Sequence, residues 1–186
     1  KIFTFFDFDR VLLNSAIVSV GTTLITLTSA LMAAYVFAKI AFRGRDVVFG
    51  LFLATMMVPG QVTIIPIFIV LKELHLLDTF TGLMLPSIFN AFAVFMLRQY
   101  IKTIHDDYLD AAFIDGATQA TVFVRIIVPL SMPIIATLGI ITFMGAWNDY
   151  FWPLVVLSDK AKMTLPLALS SLNGQYGSEY NTLMAG

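Results

Sequence analysis

The sequence predicts an all-α fold, a polytopic bundle of membrane helices, and three observations predict it. Of the 186 residues, 59% are hydrophobic and 12% are charged, about half the charged share of soluble domains. Mean hydropathy is +0.88, more apolar surface than one small water-soluble fold can bury. Charge is also absent from four long stretches, between Arg10 and Lys39, Asp46 and Lys72, Asp78 and Arg98, and Arg125 and Asp149, which hold 28, 25, 19 and 23 residues. At about 1.5 Å of rise per residue, helices of that length cross a hydrocarbon core of about 30 Å.

The first span is expected over about 12–38. Its small residues Ser15, Ser19, Thr22, Thr26, Ser29 and Ala33 recur at steps of three and four and share one helical face. Such a face lines a pathway or packs closely on another helix, and local satisfaction of hydroxyls in membrane helices favours packing. A short basic turn follows, with Lys39, Arg43 and Arg45 around Gly44. The second span, about 47–71, must bend or break at Pro59-Gly60 and Pro66, because proline removes a ladder donor. Gln61 lies beside that break, which serves transport or is tolerated packing.

A hydrophilic connection at 72–78 leads to a third span over about 80–104, with Asn90 well inside it and Arg98 and Lys102 marking its end. The fourth span is expected over about 121–157, and an outward polar loop over 158–183. Basic residues split six against five between the two sides, so only the tight 39–45 turn hints that its side is cytoplasmic.

Between the third and fourth spans, Asp107-Tyr108-Leu109-Asp110-Ala111-Ala112-Phe113-Ile114-Asp115-Gly116 predicts a short amphipathic helix over about 107–116. Asp107 suits its N-cap and Asp110 its first turn. Leu109, Ala112 and Phe113 share a face, and Gly116 can supply a left-handed C-terminal turn. An alanine centre among four aspartates suits a protein groove better than an anionic lipid surface.

Asp149 is the one carboxylate in the apolar stretch from Ile126 to Leu157. An acid there is a functional candidate, yet Trp147, Tyr150 and Trp152 around it also suit an interfacial belt. A sugar pathway is the other reading, since aromatic faces beside Asn148 and Asp149 fit polyols.

Several functions are excluded. A net charge of −1 offers no basic field for nucleic acid. With no cysteine, disulfides and thiolate metal sites are ruled out, and His75 and His105 sit apart, without nucleophile–base or metal-ligand spacing. No Gly-rich loop followed by Lys-Ser or Lys-Thr is present, so ATP is not bound here. Lys1 to Arg10 has no signal-peptide cleavage pattern. Lacking an initiator methionine, the chain reads as a piece of a longer protein.

Asp110-Ala111-Ala112, Asp115-Gly116-Ala117, Phe123, Ile127, Pro129-Leu130 and Pro133 together resemble the EAA loop of binding-protein-dependent ABC importer permeases. The departures are Asp110 for the usual glutamate and Val128 for the residue before Pro129. Met56 to Val62 and Trp147 to Leu154 are similar to the carbohydrate branch, of the maltose-transporter type. The resemblance implies a type I importer transmembrane domain, here one domain over 1–186 lacking the first and last spans, in a bacterial or archaeal plasma membrane. It implies a coupling helix built on Leu109, Asp110, Ala111, Ala112, Asp115, Gly116, Ala117 and Pro129. The implied partners are cytoplasmic ATP-binding subunits that carry ATP and Mg, a second permease subunit, an extracytoplasmic sugar-binding protein and membrane lipid. Candidate pathway residues are Gln61, Asn90, Trp147, Asn148, Asp149 and Tyr150. The rivals are a same-fold permease for a non-sugar solute and an ion-coupled carrier using Asp149.

Overall fold

A computed structural model describes residues 7–176, with side chains described through Ser171. The described residues form helices joined by turns, with no strand among them. The fold is an all-α membrane helix bundle. Its 32-residue α1, Phe8–Lys39, has an 18-residue window of mean hydropathy 1.7 and is long and apolar enough to cross a membrane alone. By length and composition three further helix pairs qualify, each if its bent halves count as one span.

Each bend has a local cause. Helix α2, Arg45–Ala54, continues as a 3-10 turn, Thr55–Met57, and meets α3, Gly60–Glu73, at 101°. Val58 between them is extended, the conformation imposed on a residue that precedes proline. Helix α4, Phe80–Met84, passes through the 3-10 turn Leu85–Ile88 and meets α5, Ala91–Thr103, at 45°. Here the sequence reading is corrected: Asn90 does not sit inside a continuous helix but ends one and starts another. Its Oδ1 accepts the Ala93 N–H at 2.9 Å as the N-cap of α5.

The surface helix α6, Asp107–Ile114, is followed by α7, Gln119–Val122. A π segment, Phe123–Ile127, leads into α8, Val128–Leu130, and α9, Met132–Trp147, departs at 74°. Pro129 has no N–H to offer the ladder, and Ser131 breaks it, its N–H shared between Ile127 O and Val128 O. The helix expected to run to 157 stops at Trp147. Asn148 turns its Nδ2 back onto Met144 O at 2.8 Å, and a separate short helix, α10, Phe151–Val156, follows. The expected loop beyond is partly helical too, with a turn at Lys160–Lys162 and α11, Leu165–Tyr176. The rest of that loop, and residues 1–6, lie outside the described residues.

The chain divides into two compact units. One comprises Lys1–Thr23, Thr63–Pro86 and Thr142–Gly186, and its core holds Val18, Leu71, Leu83, Val156, Leu157 and Leu167. The other comprises Leu24–Val62 and Ser87–Ile141, cored by Ala30, Ala34, Tyr35, Leu97, Ile101, Leu109, Val122, Ile127 and Leu138.

The serine and threonine face of α1 is a packing seam. In the second unit Thr26 and Ser29, one turn apart, donate to Ser87 O (3.2 Å) and Ile88 O (2.8 Å) at the break before α5. Carbonyls released by a broken helix need such donors where water is scarce. In the first unit Ser15 Oγ accepts from Leu165 N, and Asn14 Nδ2 donates to Ala161 O and Met163 O, tying the 161–165 segment to α1. Asp78 strengthens that unit from a left-handed turn, φ 57. Its carboxylate accepts the N–H groups of Asp159 and Ser158 and an Nζ hydrogen of Lys162, and these bonds hold its pKa below the ordinary carboxylate value.

Gly82 is required by close approach rather than by a special φ. A Cβ there would lie 2.2 Å from the Leu76 carbonyl oxygen, a backbone atom that cannot yield cheaply. Gly82→Ala should cost on the order of 1–3 kcal/mol by overpacking. Gly50→Ala, whose methyl meets nothing within 4 Å, should cost nothing by that route. Thermal unfolding of the two purified variants checks the contrast, and equal midpoints would refute it.

Candidate functional site

Helix α6 is eight residues long, too short to persist in water unaided, so its position depends on what it is tied to. Its C-terminus is closed by the backbone itself. Ala117 N–H reaches Ala112 O at 2.9 Å and Gly116 N–H reaches Phe113 O at 3.0 Å, the paired bonds of a Schellman turn, with Gly116 at φ +82. The left-handed glycine read from the sequence is therefore present. The N-terminus differs from the reading: the cap position belongs to Asp106, not Asp107, and no side chain caps the helix.

Asp106 is used otherwise. Its carboxylate accepts Lys39 Nζ at 2.6 Å, and the same ammonium donates to Ile104 O at 2.5 Å. The Lys39 side chain is only 6% exposed, and a buried ammonium persists only when its donors are satisfied. One turn earlier on α1, Tyr35 Oη donates to Gln119 Oε1 at 2.5 Å, beyond the far end of α6. The Tyr35 ring packs 5.3 Å from that of Phe123. Two side chains four residues apart on α1 thus hold the chain on both sides of α6.

The helix divides cleanly into two faces. Leu109 is 6% exposed, and Ala112 and Ala117 are half-buried against the same core. Outward stand Asp110, Ala111, Phe113, Asp115 and Gly116, with Tyr108 at 59% and Ile114 at 87% exposure. The Ala111-Ala112 pair is therefore split, one alanine facing the core and one facing out. Pro129 is exposed on α8. The sequence reading assigns Tyr108 and Ile114 no role; it also groups Phe113 with Leu109 and Ala112, whereas Phe113 stands outward with them.

The candidate pathway residues are placed separately. Gln61 is exposed in the first turn of α3, and Asn90 is occupied as a helix cap. Trp147 ends α9 with its ring stacked on Phe143, 5.7 Å between centroids. Asn148 is exposed, Asp149 Oδ1 accepts Trp152 N–H at 3.2 Å, and Tyr150 is exposed. Only Trp147 to Tyr150 come together, as one turn between α9 and α10; Gln61 and Asn90 belong to the other unit. Asp149 and Asn90 both have local backbone partners. No cluster of metal-ligating side chains occurs among the described residues.

The fold is an all-α membrane bundle, and comparison with known families places it. The model of the binding-protein-dependent transport system inner membrane component family matches residues 16–186, and the chain belongs to that family. Among its relatives is the arabinooligosaccharides transport system permease protein AraQ of Bacillus subtilis (strain 168), 41% identical over 173 residues, 93% of this chain and 62% of that protein. The sn-glycerol-3-phosphate transport system permease protein UgpE of Yersinia pestis bv. Antiqua (strain Antiqua) is 37% identical over 96% of this chain and 64% of its own length. A solved bacterial ABC transporter involved in import of the acidic polysaccharide alginate matches with a TM-score of 0.84 and 27% identity, over 95% of this chain and 62% of that one. The chain thus spans less than two thirds of the length of these relatives.

The Lys39 hydrogen bond and charge hold the Asp106 pKa below its ordinary 3.8. A depressed folded pKa contributes stability above the unfolded value, and loses it as pH falls through the folded one. The clamp should therefore be fully ionised and constant across neutral pH, weakening only below about pH 4. Asp106→Asn should speed amide exchange over residues 104–114 at pH 7 without changing that of α9. Unchanged exchange at 104–114 would show that the pair holds nothing.

Proposed function

We propose that this chain is the greater part of a permease subunit of an ATP-driven carbohydrate importer, a multi-pass protein of a bacterial or archaeal plasma membrane. The observation that carries this reading is α6: a short helix with Tyr108, Ala111, Ile114 and Asp115 turned outward, anchored on both sides by α1. A rigidly held convex helix with two large exposed apolar side chains fits a groove on a partner protein.

In this reading the partner is a cytoplasmic ATP-binding subunit that carries ATP and Mg, and the chain itself is not an enzyme. Closure of the ATPase pair on ATP moves α6, and the clamps pass that motion to α1 rather than letting α6 swing alone. Asp110 and Asp115 present carboxylates to the groove, and Gly116 sets the angle at which the chain leaves it. A second permease subunit completes the translocation path, and a sugar-binding protein delivers the solute from outside.

The carbohydrate assignment draws on relatives whose names specify arabinooligosaccharides and alginate. UgpE, named for sn-glycerol-3-phosphate, keeps a polyol phosphate as the alternative. The exposed Gln61, Asn148 and Tyr150 are the pathway candidates that the structure leaves without an evident packing role. Asn148 bonds only its own helix, so its replacement can be borne structurally. Asn148→Ala should reduce uptake while leaving assembly and ATP hydrolysis intact; unaltered uptake would remove it from the path.

The docking claim has its own test. Truncating an interface hot spot commonly costs about 2 kcal/mol, roughly thirtyfold in affinity. Tyr108→Ala with Ile114→Ala should accordingly strip the ATPase from the purified full-length transporter, and Gly116→Asp should abolish uptake. Retention of the ATPase by the double variant, with normal uptake in Gly116→Asp, would overturn the assignment.

A further inference from the structure

Arg98 lies on α5 and is 7% exposed, in a protein where a charge away from water must be paid for by its partners. Its partners come from two other elements. Nε donates to Phe37 O on α1 at 3.1 Å, and Nη2 donates to Asp46 Oδ1 in the first turn of α2 at 3.0 Å. The guanidinium carbon sits 3.9 Å above the Phe49 ring, one turn further along α2, a favourable cation–π position. Only a planar fork with several donors makes these three contacts at once, which excludes lysine.

The place where Arg98 grips α1 matters more than its burial. Phe37 lies between Tyr35 and Lys39, the two residues that hold the flanks of α6. Four hydrogen bonds made by three side chains therefore converge on residues 35–39 of α1: Tyr35 to Gln119, Lys39 to Asp106 and to Ile104, and Arg98 to Phe37. The second hand of Arg98 holds α2, which runs to the bend at Val58-Pro59. Among the described residues the backbone bonds at the turn 40–44 are local, Ile40 N to Val36 O, Arg45 N to Phe42 O and Val48 N to Gly44 O.

We propose that Arg98 is a positioning residue, and that its ion pair with Asp46 is the link by which a displacement of α6 reaches α2 and the bend beyond it. The proposal rests on the reading of α6 as the ATPase-docked lever. A static seam is the plainer account, and Asp46 separates the two. Its side chain is 76% exposed, so replacing it opens no cavity; it removes the 3.0 Å pair with Arg98 and the longer 3.6 Å pair with the neighbouring Arg45, and only the first joins α5 to α2. In a seam the loss would lower stability alone; in a link it lowers the work obtained per ATP.

The test uses the full-length permease in its assembled transporter, reconstituted in liposomes. Solute moved per ATP hydrolysed is measured per assembled complex for the parent, Asp46→Asn and Asp46→Glu. Coupling free energies of 1–3 kcal/mol correspond to roughly 5- to 150-fold effects, so Asp46→Asn should lower the transport-to-hydrolysis ratio by about fivefold or more with hydrolysis retained. Asp46→Glu, which restores the carboxylate, should recover most of the ratio. A parental ratio in Asp46→Asn, or uptake and hydrolysis falling in step in both variants, would overturn the proposal. Failure of the underlying reading would appear differently, as a parent complex whose ATPase does not contact α6 at all.

Discussion

The last turns of α1 are where this structure is held together for function. Lys39, buried and doubly bonded, fixes the approach to α6 through Asp106 and Ile104, and Tyr35 fixes its departure through Gln119. Neither anchor is strong by itself, since a net hydrogen bond is worth about 1 kcal/mol and a charged one about twice that. Their effect comes from geometry. Two anchors on one helix, separated by one turn, tie the chain on both sides of the eight-residue helix, and its Schellman turn closes the C-terminus.

The bends have a common logic. A membrane helix can be interrupted only where the released backbone groups find other partners. At the break before α5, those partners are the Asn90 side chain and the hydroxyls of Thr26 and Ser29. At Asn148 to Trp152 the Asp149 carboxylate takes up the Trp152 N–H, while Met144 O keeps the Asn148 backbone N–H and does not depend on the Asn148 side chain. Polar side chains that look functional in a hydrophobic stretch are thus partly spent on letting the chain turn. This weakens the case for Asn90 and Asp149 as solute ligands and leaves Gln61, Asn148 and Tyr150 less encumbered.

Much of the fold was legible because the signals were long or local. Charge-free stretches of 19 to 28 residues read as apolar helices, and Pro59 announced its bend, whereas Pro66, read in the same way, lies within the unbroken α3. Gly116 announced a left-handed turn, and the spacing of Leu109 and Ala112 announced the buried face of α6, although Phe113, read as part of that face, stands outward. What stayed hidden depended on pairs distant in sequence. Nothing near Asp106 says that it faces Lys39, 67 positions away, so Asp107 looked the better cap. Arg98 looked like the end of a span, and only its meeting with Phe37 and Asp46 shows it joining three helices. The break at Asn90 was missed because asparagine inside an apolar run reads equally as a ligand or as a cap.

The central claim is that α1 and α6 move as one body. These 186 residues hold no cysteine, so none of them competes with an introduced labelling site. A pair on Val36 and Asp115, both exposed, measured by pulsed electron resonance in the full-length transporter with and without ATP, tests it directly. One narrow distance, unchanged by nucleotide, is the predicted result. A distribution that broadens or shifts when ATP binds would show α6 swinging free of α1, and the account would fail.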